Sequence, residues 1–307
     1  MNAPGTVRRR ARALWIAAAT AVAQLVAAGV LAAQLPATLP EPVVLDIASA
    51  SINAHGSPGR VLLQDEHAVQ VLDPASQRVT ASVDTGAPPL RHGVAVRGGT
   101  DEALVLSGNA VVRIDLAAGA VAGSTPLGFA VEFDSYAEVL GLDARGSLLV
   151  DTGEWVEAVS LDDGDKEFVA YQDGVVSSSG RLWQPADGGP SLHSTGVVLS
   201  PDEERFYVFT DEPSVIVVDT RTEDSETLPG RRPIASAVAL PTADGSHVVT
   251  IGGPDSTQVL VRRLDGTDVA AVQAGAPIRD MDITPDGSTV YATTGDRLLL
   301  VDVRAYT

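Results

Sequence analysis

Six times along this chain a short apolar run ends in Asp and passes through a polar turn into a second run rich in β-branched residues. The junctions are Val71-Leu72-Asp73, Arg113-Ile114-Asp115, Ser160-Leu161-Asp162, Val218-Asp219-Thr220, Arg263-Leu264-Asp265 and Leu300-Val301-Asp302, with successive Asp residues 42, 47, 57, 46 and 37 positions apart. The unit opening at Arg60 shows the pattern in full: Val61-Leu62-Leu63, Ala68 to Asp73, a turn at Pro74-Ala75-Ser76, then Arg78 to Val83 and Gly86-Ala87-Pro88. Alternation and β-branching mark strands, while Asp-Pro and Gly-x-Pro mark turns. Gly-x-Pro recurs as Gly275-Ala276-Pro277 and, more loosely, as Gly230 with Pro233. After it come a short apolar stretch and a tight turn such as Thr284-Pro285-Asp286-Gly287 or Ser200-Pro201-Asp202-Glu203. Proline presets φ in these turns, and Asp and Gly suit the remaining positions. Strand-only units at this period predict the blades of a β-propeller.

These segments resemble the YVTN-type β-propeller repeat family, a relative of the WD40 and quinoprotein propellers. The best matches are residues 60–96, 200–233 and 275–303, and the resemblance extends over most of residues 56–307. The Trp-Asp and Gly-His pairs of WD40 blades are absent, as are the regularly spaced docking tryptophans of quinoprotein blades. Only Trp155 and Trp183 lie beyond the N-terminal segment. The resemblance implies an all-β ring of four-stranded blades.

Of the 307 residues, the 265 from position 43 onward make six or seven blades at about 40 residues each. The six junctions favour six, with an insertion at Val175 to Pro190 filling the long interval between Asp162 and Asp219; a degenerate seventh blade there stays open. The last unit lacks an outer strand, and Val43 to Ile52 is strand-like without an obvious partner. The ring closes most simply if that N-terminal piece pairs with the C-terminal blade, which also removes an exposed sheet edge.

Residues 1–12 form a basic segment with Arg8, Arg9, Arg10 and Arg12, and residues 13–35 are apolar except for Thr20, Gln24 and Gln34. Twenty-three such residues suffice to cross a bilayer, so we expect a hydrophobic helix that is an uncleaved anchor or a signal peptide cut near Val30-Leu31-Ala32. The anchor is favoured. The arginines stay cytoplasmic, placing the propeller outside, on the cell membrane or, after cleavage, secreted. Residues 36–42 are a proline-rich spacer, and residues 43–307 the propeller.

Charge narrows the partners. From Glu41 onward the chain has 17 basic and 40 acidic residues, a net of −23. Such a domain repels nucleic acid and anionic headgroups. The membrane is reached through the N-terminal helix, and the expected partner is a protein or small-molecule ligand bound by a monomer. Cysteine is absent, which removes disulfides, thiolate chemistry and Cys-based metal sites.

No catalytic motif stands out and no cofactor is expected. Asp162-Asp163-Gly164-Asp165 reads as a hairpin turn, because a calcium loop needs a later bidentate Glu. The recurring junction Asp residues read as hydrogen-bonding partners of turn amides. His55, His67, His92, His193 and His247 show no zinc spacing. Arg91 and His92 follow Gly86-Ala87-Pro88-Pro89, Arg279 and Asp280 follow Gly275-Ala276-Pro277, and Arg231 and Arg232 follow Leu228-Pro229-Gly230. These six residues fall where innermost strands begin, so they are the candidate ligand-binding set at the mouth of a central channel. A binding or scaffold module is favoured over a propeller enzyme of the lactonase, lyase or quinoprotein kind. An enzyme needs a converging polar set, and the sequence displays none.

Overall fold

The computed structural model describes residues 37–306 except 39, 55–58, 88, 98–99, 128–137, 153–154, 171–174, 177–179, 184–193, 201–202, 232, 235–239 and 242–244. The expected leader helix at 13–35 lies outside them; among the described residues no helix is long and apolar enough to cross a membrane.

Among the described residues six larger antiparallel sheets follow one another along the chain, five of four strands and one of five. Blade one is Ser51–Asn53, Val61–Gln64, Ala68–Asp73 and Arg78–Asp84; blade two is Pro89–Val96, Glu102–Ser107, Ala110–Asp115 and Ala120–Pro126. Blade three is Glu138–Leu142, Leu148–Asp151, Val156–Val159 and Lys166–Ala170; blade four is Ser194–Leu199, Arg205–Thr210, Ser214–Asp219 and Ser225–Pro229. Blade five is Leu240–Pro241, His247–Gly252, Gln258–Arg263 and Asp268–Gln273, with the short strand Ala37–Thr38 beside Asp268–Gln273. Blade six takes Asp280–Ile283, Thr289–Thr293 and Leu298–Asp302 from the C-terminus and its fourth strand, Val43–Leu45, from the other end of the chain. The expected closure is present, but it divides the N-terminal piece. Val43–Leu45 completes the last blade, and Ser51–Asn53 opens the first.

The middle strands read as unbroken apolar runs because both faces of each blade are covered. Leu62 packs toward blade two with Val105 and Ile114, while its neighbours Val61 and Leu63 pack toward blade six with Tyr291 and Leu300. Leu104 and Leu106 meet Leu148 and Val150, and Val249 and Val261 meet Val290 and Val301. Outer strands are solvated, so Arg78–Asp84 is mostly polar and exposed.

The long interval between junctions holds a two-stranded hairpin, Val175–Val176 with Leu182–Trp183. Its first strand lies beside the innermost strands of blades three and four. Leu182 packs with Leu149, Val156 and Ala158 of blade three, and Trp183 with Phe206 and Val208 of blade four. This is the expected insertion, and among the described residues it places two strands between those two blades.

The junction carboxylates bind turn amides. Asp73 Oδ1 accepts from Ala75 N (2.9 Å), Asp115 Oδ1 from Ala117 N (2.9 Å) and Ala118 N (2.8 Å), and Asp219 Oδ1 from Arg221 N (2.8 Å) and Thr222 N (2.9 Å). The third junction departs from the expected register. There Ser160 holds the equivalent place, its carbonyl accepting from Gly164 N (3.0 Å), and Asp163 rather than Asp162 accepts a turn amide, that of Asp165 (3.2 Å). Gly164 has φ +78°, and a Cβ there would sit 2.7 Å from Pro126 O, so this turn needs glycine to lie against blade two.

Candidate functional site

Because the strands are antiparallel, each innermost strand begins where the second strand ends. The turn between second and third strands therefore shares an end of the blade with the segment that enters the next innermost strand. Hydrogen bonds tie the two together: Thr85 N donates to His67 O (3.2 Å), Leu127 N to Asn109 O (2.7 Å), Gly230 N to Pro213 O (2.6 Å) and Ala274 N to Thr257 O (2.9 Å).

At this end of blade one lies an open hollow of about 300 Å³, lined by Ala50, Ser51, Gln64, Asp65, Glu66, His67 and Pro89. Ser51 and Gln64 are buried and form its floor, where Ser51 Oγ donates to Gln64 Oε1. Ser49 Oγ donates to Gln64 O (3.1 Å), fixing the strand end. Asp65, Glu66 and His67 form the rim, shaped by Asp65 Oδ1 accepting from Glu66 N (2.6 Å). Pro89, the first residue of the next innermost strand, is the opposite wall. Thr85 Oγ1 and Ser107 Oγ both donate to Ala87 O, at 2.7 and 2.6 Å, and hold the segment that leads to it. Two residues beyond Ser51, Asn53 Nδ2 donates to Val94 O of blade two (3.3 Å), and its Oδ1 is buried without a partner among the described residues. Such an oxygen is costly unless a donor reaches it.

The six expected mouth residues fall in three places. Arg91 and His92 lie within Pro89–Val96, where pairing with Glu102–Ser107 is irregular between Pro89 and Val94; their side chains are outside the description. Arg232 is outside the described residues. Arg231 is exposed, with its Nε 3.7 Å from Asp265 Oδ2 in a turn of blade five. Arg279 is exposed, and its guanidinium covers Gly295, where a Cβ would come within 2.7 Å of Arg279 Cζ. Asp280 is only 3% exposed and accepts Ile52 N at 2.7 Å.

The hollow itself was hidden in the sequence. Its one visible trace is a polar residue near the end of each apolar second strand, Gln64, Ser107, Asp151, Thr210, Thr250 and Thr293, all buried. Among the described residues no group of His, Asp and Glu is arranged to hold a metal ion.

Fold and site together define a six-bladed β-propeller with a small open hollow beside the entrance to an innermost strand. No protein-family model matches the chain, and no curated protein matches it. Among solved structures it is similar to hydrazine synthase of Kuenenia stuttgartiensis, with a TM-score of 0.59 at 14% identity, covering 88% of this chain and 97% of that one. That likeness shows the fold alone.

Proposed function

We propose that this protein is an extracytoplasmic propeller, tethered by its leader or released after cleavage, that binds a small ligand or a protein side chain at the hollow of blade one. The observation that carries this reading is the buried Ser51–Gln64 floor walled by two blades. Small-molecule sites pair such a recess with a few placed polar groups. The rim carboxylates of Asp65 and Glu66 call for a ligand rich in N–H or O–H donors. The domain's net charge of −23 favours a cationic one. Of the proposed mouth set Arg91, His92, Arg231, Arg232, Arg279 and Asp280, the cationic members would instead select an anion, while the Asp280 carboxylate is held by Ile52 N.

Capture separates the two. The domain from Glu41 onward is immobilised, exposed to the small-molecule and protein fractions of the extracytoplasmic space, and its cargo identified by mass spectrometry. Gln64→Leu with Glu66→Gln should weaken retention at least about tenfold, the scale of one or two lost hydrogen bonds. Replacing Arg91, Arg232 and Arg279 together should leave it intact. Cargo kept by the first variant and lost by the second moves the site to the arginines.

A further inference from the structure

We infer that the ring is held shut by a two-carboxylate latch at its seam, Asp280 and Asp282 of blade six gripping the backbone of blade one, while the outer closing strand is dispensable for closure. An innermost strand is a sheet edge: among the described residues Ser51–Asn53 pairs with Val61–Gln64 alone, so alternate amides on its other side have no ladder partner there. Asp280 Oδ2 accepts Ile52 N at 2.7 Å and Asp282 Oδ2 accepts Ala54 N at 2.5 Å, across 228 positions of sequence. Residues two apart on each strand put both bonds on one side, so the carboxylates stand in for the carbonyls of an absent strand. Both are nearly buried, 3% and 5% exposed, and Asp282 Oδ1 is further occupied by Ile283 N (2.8 Å). Buried charges persist only when hydrogen-bonded, and amide–carboxylate bonds are about twice as strong as neutral ones. Beside them Thr293 Oγ1 donates to Ser49 O (2.9 Å) and Ser49 N to Gly295 O (3.2 Å), which holds the incoming chain against blade six. At the neighbouring seam between blades one and two, Asn53 makes a neutral bond of 3.3 Å.

The outer closure is slighter. Val43–Leu45 contributes three residues, with Val43 and Val44 42% and 49% exposed. Val43–Leu45 can therefore leave the rim while the axis stays locked.

Hydrogen exchange resolved to single amides, on the full chain, tests this. Asp280→Ala should speed exchange at Ile52 roughly ten- to a hundredfold and at Ala54 much less, and Asp282→Ala should do the reverse. Asp280→Asn and Asp282→Asn keep a carbonyl acceptor and should show the same amide-specific pattern at about fivefold, which decides the matter where an Ala variant does not fold. Val43→Pro with Val44→Pro should leave both amides within about threefold of wild type. The latch is overturned by wild-type rates at Ile52 and Ala54 in the Asn variants, or by amides of every blade accelerating together. It is equally overturned if the proline pair frees Ile52 and Ala54 as much as the carboxylate variants do.

Discussion

At the scale of single residues, this protein spends much of its acidity on its own backbone. Hydrogen bonds hold several turn carboxylates below the usual Asp range: Asp73 through Ser76 and then the Ala75 amide, Asp219 through the amides of Thr222 and Arg221, and Asp286 through Thr284. Asp163 is lowered by Ser160 and Asp302 by Arg304 in the same way. A carboxyl with a depressed folded pKa stabilises the fold above its unfolded value, about 3.9, and loses that contribution as pH falls through the folded value. Melting temperature should therefore be flat from about pH 7 to 5 and fall below about pH 4. Asp73→Asn with Asp219→Asn should lower the plateau slightly and make the acid limb shallower. An acid limb of unchanged steepness in that variant would show that these turns do not govern acid unfolding. The role of these residues was legible because it repeats; that of Asp280 was not. Beside Arg279 it reads as a polar rim, since the amide it holds lies 228 positions away.

At the scale of elements, the blades could be read because each repeats one grammar, and the hairpin Val175–Val176/Leu182–Trp183 appeared only as surplus length. What its four paired residues do depends on Trp183, which is 8% exposed, 5.8 Å from the Phe206 ring centroid, and capped by Arg181 with Cζ 3.6 Å from its own centroid. Arg181 then reaches Glu223 of blade four at 2.6 Å. Sequence periodicity cannot announce such an arrangement, because nothing else in the chain copies it. The same holds for the hollow, whose Gln64 merely ends an apolar run. Trp183→Ala removes the packing of the hairpin on Phe206 and Val208 of blade four and should cost about 3 kcal/mol or more in denaturant unfolding. Phe168→Ala, at a side chain 50% exposed, should cost under about 1 kcal/mol. Near-equal losses would mean that the hairpin only decorates the ring.

At the scale of the whole molecule, two features meet: a ring closed by its own N-terminal segment, and an apolar run at 13–35 shortly before that segment. Closure places Val43–Leu45 on the rim, and only the short proline-rich stretch at 36–42 separates it from the apolar run at 13–35. Four arginines before that run favour retention of the N-terminus in the cytoplasm, and the domain's net charge of −23 disfavours adhesion to anionic headgroups. In the tethered form proposed above, attachment depends on the apolar run at 13–35. The full chain should sediment with membranes after an alkaline wash, its propeller open to protease added from outside and its first residues protected. A soluble exported form beginning near Gln34 would mean the leader is cut, leaving the propeller outside but free. Protease resistance of the propeller in intact cells would refute export, and with it the proposal that the hollow meets its ligand beyond the membrane.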